Sequence, residues 1–215
     1  MEGLSARERS IFNALLKKYP GAIPSPGFLR SEAELRNSNG TYTFRVDKNS
    51  GELVTELKLD RNDIFVITDL AVYLAAQDQT KMGMEVLQTY PNKTVFPAVV
   101  GPPAFEPDHL EAIYNGRLSL KIANKVNIEA MSMHNFRVVP QTQQSAATNK
   151  SQYSRNAAGY ALGSIIYLKG NMDIEVKIEF NSFDNIAIQA QTANIKNKLV
   201  FHPYGFLIKG QSLQD

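Results

Sequence analysis

The 215-residue sequence contains no cysteine and no tryptophan. Without cysteine there is no disulfide framework, no thiol nucleophile and no cysteine-ligated zinc site. Without tryptophan, sugar stacking would have to rest on tyrosine. No run of about 18 apolar residues exists, so nothing in the sequence suggests a membrane-spanning helix. Charges break up the first 21 residues, "MEGLSARERSIFNALLKKYPG", which therefore lack the apolar core of a signal peptide. The net charge is only +2, too small an imbalance to argue for nucleic acid or an anionic membrane. Lys121, Lys125, Arg137, Lys150 and Arg155 are dispersed among acids rather than gathered in a stripe.

Catalytic signatures are also scarce. His109, His134 and His202 are the three histidines, and none stands at a metal-ligand spacing. His109 is expected on an exposed helix, and the other two as satisfied strand-edge residues. No G-x-S-x-G elbow occurs, and "GYALGS" (159–164) lacks the lysine of a phosphate loop. Its glycines suit a backbone bend. Asp60, Asn62 and Asp63 could chelate calcium, but the same residues make an ordinary turn, which is the favoured reading. Glu106 and Asp108 sit where carboxylates favour a helix start. The sequons at Asn39, Asn92 and Asn149 carry no weight without a secretory route. Neither a catalytic residue, a metal nor a cofactor is expected, and the chain is not read as an enzyme.

Alternation of apolar and polar residues is what the sequence does have. In "MDIEVKIEF" (172–180) Met172, Ile174, Val176, Ile178 and Phe180 alternate with Asp173, Glu175, Lys177 and Glu179. Successive strand side chains point to opposite faces, so this predicts a half-buried strand. Gly170-Asn171 suits a tight hairpin turn pairing Lys169 with Met172, Tyr167 with Ile174 and Ile165 with Val176. That pairing places Tyr167 and Ile165 on the apolar face. Similar patterns predict strands in "FLRSEAEL" (28–35), for which a helix is the alternative, "TYTFRV" (41–46), "ELVTELKL" (52–59), "RLSLKI" (117–122), "KVNIEAM" (125–131), "NFRVV" (135–139), "NIAIQAQ" (185–191), "KLVFHPYGF" (198–206) and "LIKG" (207–210). "IFVITDLAVYL" (64–74) predicts a buried central strand that could break into a helical turn near Ala75-Ala76.

Ser5 and Glu8 form a capping box ahead of Ile11, Phe12, Leu15, Leu16 and Tyr19 at helical spacing, and Pro20-Gly21 ends that helix. "PGAIPSPG" (20–27) forms a stiff arm after it. The helix either folds back on its own domain, the favoured outcome, or docks on a neighbour. Pro107 opens a second, short helix near 107–114, which Gly116 stops. Two segments carry no such pattern: the proline-rich stretch 77–105 and the polar stretch 141–158.

About eleven strands with two short helices predict an all-β fold: an antiparallel β-sandwich, jelly-roll-like, over 28–215, preceded by the helix and arm of 1–27. The phrases "GAIPSPGFLRSEAEL", "YTFRV", "ELKLDRNDIFVITDLAVYL", "LQTYPN", "IYNGRLSLKI", "NFRVVPQTQ", "IYLKGNMDIEVKIEF" and "LVFHPYGFLIKG", in that order, resemble bacteriophage virion structural proteins of the capsid or capsid-associated jelly-roll kind. The resemblance implies a homo-oligomer that contacts other virion proteins and is assembled in the host cytoplasm. It implies no catalytic residue. Interface candidates are Ile11, Phe12, Leu15 and Leu16 on the helix, with Tyr153 and Tyr160 beside the polar segment. The alternative is a carbohydrate-binding or adhesion module using Tyr90, Tyr153 and Tyr160.

Overall fold

The computed structural model describes residues 4–46, 55–81, 83–100, 104–139, 159–180, 187–190 and 194–210. Tyr153, the segment 141–158 and residues 185, 186 and 191 of the expected strand 185–191 lie outside these residues. An α-helix, α1 (Ala6–Lys18), is followed by β1 (Ser25–Phe28), β2 (Ser31–Glu34), β3 (Thr41–Arg45) and β4 (Ile64–Asp78). A 3₁₀ helix (Pro107–Asn115) leads into β5 (Arg117–Ile122) and β6 (Lys125–Ser132). After a short 3₁₀ turn (Met133–Phe136) come β7 (Tyr160–Lys169), β8 (Ile174–Glu179) and β9 (Ile195–Ile208).

The pairing follows one rule. β2 pairs with β9, β3 with β8, β4 with β7 and β5 with β6, all antiparallel. The chain is therefore one long hairpin of four strand pairs. Two further antiparallel contacts, β4 with β9 and β5 with β8, roll it into two sheets. One sheet runs β1/β2-β9-β4-β7 and the other β3-β8-β5-β6. This is the strand order of a jelly roll.

The sheets face each other across one core, which includes Leu35, Phe44, Phe65, Val72, Leu118, Leu120, Val176, Ile178, Leu199 and Phe201. The alternation in 174–179 holds, with Ile174, Val176 and Ile178 fully buried. The expected hairpin does not form. β7 lies in the large sheet against β4, whereas β8 crosses to the small sheet. Ile166 and Leu168 point into the core while Tyr167 lies on the opposite face, the reverse of the expected parity. A Cβ on Gly170 would come within 1.8 Å of the Asp60 carbonyl oxygen, so the crossing is pressed against the 60–63 turn and needs glycine there.

Other expectations change in detail. "FLRSEAEL" keeps its predicted faces but is broken between β1 and β2 at Leu29-Arg30. Across from the break stands Pro203, which has no N–H for the ladder. β4 runs on as strand to Asp78 with no helical turn, and 195–208 is one strand rather than two. "NFRVV" is not a strand; its residues join the 3₁₀ turn and an irregular run after it. Leu59 enters the core as predicted, but Leu57 faces out and the Lys58 side chain is buried, so the predicted alternation fails at 57–58. This stretch leaves strand geometry to bridge Arg30 through Leu57. β6 is an exposed edge strand with two register shifts against β5, a common protection of free edges.

α1 forms as predicted, with both hydrogen bonds of the Ser5–Glu8 capping box present. It folds back on the outer face of the large sheet. Ile11 and Leu15 are buried against Ile64, Val66, Phe206 and Ile208, and Phe12 packs on Phe206. Burying Ile11 and Leu15 contributes roughly 3–6 kcal/mol before entropy is counted. Residue 27 falls inside β1, so the chain from Ser25 belongs to the sheet and not to a separate arm. The β4–β7 ladder opens between Ile67 and Asp69, at the "GYALGS" bend. Arg7 enters this opening and donates to the carbonyls of Thr68 and Leu162. Arg7→Ala should leave these part-buried acceptors without that donor and cost about 1–3 kcal/mol in chemical denaturation, with faster amide exchange along β7.

Candidate functional site

The upper half of the large sheet's outer face, beyond α1, carries side chains unusual for such a place. Here β9 presents Lys196, Lys198, Val200, His202 and Tyr204; β4 presents Ala71, Tyr73, Ala75 and Gln77; β2 presents Glu32 and Glu34. Arg30 continues this row between β1 and β2. Residues 55–59 flank the β1/β2 edge. Residues 83–88 return beside β4 through paired hydrogen bonds between Leu74 and Gln88, both 2.8 Å.

These coverings bury charge. Side-chain exposure is 0% for Glu32, 1% for Glu85, 4% for Lys58, 5% for Glu56 and Lys198, and 17% for Arg30. Arg30 holds two carboxylates at once: its Nε donates to Glu32 Oε1 and its Nη2 to Glu85 Oε1, each at 2.6 Å. Lys198 Nζ donates to Glu32 Oε2 at 2.6 Å. Glu56 accepts from the Glu32 backbone N–H at 3.0 Å and lies 3.6 Å from Lys58 Nζ. Three cations thus balance three carboxylates. Burial raises the Glu32 carboxyl, but the Lys198 hydrogen bond and the Arg30 charge outweigh it and hold the group below the usual carboxylate range.

Next to this layer lies an aromatic stack. The half-exposed Phe28 ring lies flat on the His202 imidazole at 4.7 Å, with Tyr204 at 4.6 Å and Tyr73 edge-on at 5.7 Å. The Tyr73 and Tyr204 hydroxyls are 2.9 Å apart. His202 is 6% exposed and its Nδ1 has no hydrogen-bond partner among the described residues. Burial, then the Arg30 charge, lowers its pKa to about 4, so the ring is neutral at pH 7. It is neither at an edge nor satisfied, contrary to the sequence expectation.

A sign follows for acid stability. The folded state disfavours imidazolium, so the penalty is absent above the unfolded pKa of about 6.5 and grows as pH falls towards 4. It should reach about 3 kcal/mol below pH 4. Urea melts between pH 7 and 4 check this: His202→Phe should flatten that part of the profile while the carboxylate contributions remain.

The chain matches no known family model, characterised protein or solved structure.

The other sequence candidates are dispersed. Ile11, Phe12 and Leu15 are spent on the chain's own sheet, and Leu16 alone of the helix set is exposed. Tyr160, on the edge strand β7, packs edge-on against Phe136. Tyr90 is half-buried in the irregular segment. His109 Nδ1 lies 3.2 Å from the Ala187 carbonyl, and His134 Nε2 lies 3.1 Å from Asn115 Oδ1. The Asp60–Asp63 segment is a turn whose Asp63 carboxylate accepts from Gly210 N–H. Asp108 is 3.3 Å from Lys93. Among the described residues no group of three or more His, Cys, Asp or Glu is placed to hold a metal ion.

Sequence reasoning missed Arg30, Glu32, Glu56, Glu85 and Lys198 as a set. Arg30, Glu32, Glu56 and Lys198 belong to alternating segments in which charge normally faces water, and Glu85 lies in the stretch 77–105 that carries no alternation.

Proposed function

We propose that the chain is a non-enzymatic structural protein of a bacteriophage particle, of the capsid or capsid-associated kind, that works by associating with copies of itself and with other particle proteins. The observation that carries this reading is the strand order, because the jelly roll is an architecture of viral capsid domains. A fold does not fix a function, so the surface matters too. Exposed Leu57, Met84 and Val86 and half-exposed Phe28 lie close to Arg30 in sequence or through its contacts. Exposed apolar residues gathered near one sheet edge suit an interface. The buried charge layer beneath them is internally paired and supports a rigid outer face.

Mass photometry and sedimentation over a wide concentration range test the reading. Concentration-dependent oligomers, or closed rings or shells by electron microscopy, are expected. A strict monomer at high concentration that also fails to join purified particles contradicts it. Lectin domains share this architecture, and the half-exposed Phe28 ring offers a flat stacking surface. A glycan array separates that second reading: specific binding abolished by Phe28→Ala would favour it.

A further inference from the structure

Residues 83–88 form a strap over the outer face of β4 and β9. At one end, Gly83 has φ +83°, a left-handed conformation that glycine adopts without strain. At the other, Gln88 is hydrogen-bonded to Leu74. Between them Leu87 packs inward on the cluster of Ala71, Tyr73, Ala75, Val200 and Tyr204. Met84 and Val86 point out, 74% and 51% exposed, and contribute little packing. The strap's fastening is Glu85. Its Oε1 reaches Arg30 on the far side of β9, and its buried Oε2 has no partner among the described residues.

We propose that the Glu85–Arg30 contact is an acid-operated latch, and that its release lifts residues 83–88 and uncovers the Tyr73–Val200–Tyr204 surface while the sandwich stays folded. The guanidinium of Arg30 stands between Glu85 and the buried His202 ring. Arg30 occupies the row position across from His202 between β1 and β2, as the flanking pairs Phe28–Tyr204 and Ser31–Phe201 require. Acid adds a charge to His202, which repels Arg30 and so weakens its contact with Glu85. The other groups around it are Glu32 on β2, Lys198 on β9, Glu56 and Lys58 on the flanking segment, and the Tyr73 and Tyr204 hydroxyls. Glu32 is secured by Lys198 as well as by Arg30, so it holds its charge to lower pH and keeps β2 on β9 after the strap has gone. The latch therefore opens before the sheet does.

Amide hydrogen exchange, corrected for the intrinsic pH dependence, tests this in the full chain. In the wild type, residues 84–88 should lose protection at a higher pH than β8. Glu85→Gln, which keeps the shape and removes the charge, should lower their protection about tenfold or more already at pH 7, with β8 unchanged. His202→Phe should move the opening to lower pH. A joint loss of protection in strap and β8, a Glu85→Gln strap as protected as the wild type at pH 7, or an unshifted His202→Phe profile would each overturn the proposal. The Glu85→Gln arm decides the matter if His202→Phe does not fold.

Discussion

Arg30→Ala should destabilise the protein by about 3–5 kcal/mol, among the largest effects of any substitution outside the core. Arg30 is the single cation shared by Glu32 and Glu85, both withdrawn from water. Among the described residues, removing it leaves Glu85 without an ion-pair partner and leaves Glu32 with Lys198 alone. Most of the loss is the cost of uncompensated buried charge rather than the worth of the ion pairs. The two contributions can be separated. Arg30→Met combined with Glu85→Met removes charge from both sides and should recover more than half of the loss. Urea denaturation with an unchanged m value measures both. If the single and double variants are equally destabilised, the loss comes from packing and the layer is not an electrostatic unit.

Gly205→Ala should cost about 3 kcal/mol or more. Gly205 pairs with Ile67 beside the register shift in β4, and a Cβ there would stand 1.8 Å from the Val66 carbonyl oxygen. That oxygen is backbone in the central strand pair and cannot swing aside as a side chain could. Thermal melting measures the cost. A Tm within about 2 °C of the wild type would mean that the two strands are further apart than described.

Much of this architecture was legible in the sequence, for a physical reason. A period of two fixes which face of a strand is apolar, and the faces read from "TYTFRV", "RLSLKI" and "DIEVKIE" are those that enter the core. The capping box and the proline-started short helix are local devices and were equally readable. Partner choice was not, because alternation does not say which strand lies alongside. Ile165 and Tyr167 are as apolar as Ile166 and Leu168, so the sequence could not tell which pair enters the core; the 60–63 turn pressed on Gly170 settles it. The charge layer was hidden for a similar reason. Glu32 and Lys198 stand at positions that face water in an uncovered sheet, and only the tertiary path of 55–59 and 83–88 over and beside them makes them buried.

The long hairpin, in which β3 pairs with β8 and β4 with β7, is the claim on which the fold, the outer-face layer and the capsid reading all depend. Because the chain has no cysteine, paired cysteines can report it directly. Thr43 and Lys177 are direct partners on the outer face of the small sheet, within disulfide reach for an antiparallel pair. Thr43→Cys with Lys177→Cys should oxidise rapidly to an intramolecular disulfide in the native protein, and Tyr167→Cys with Ile174→Cys should not. Rapid closure of the second pair, with the first remaining reduced, would show that β7 and β8 form a simple hairpin and would contradict the account.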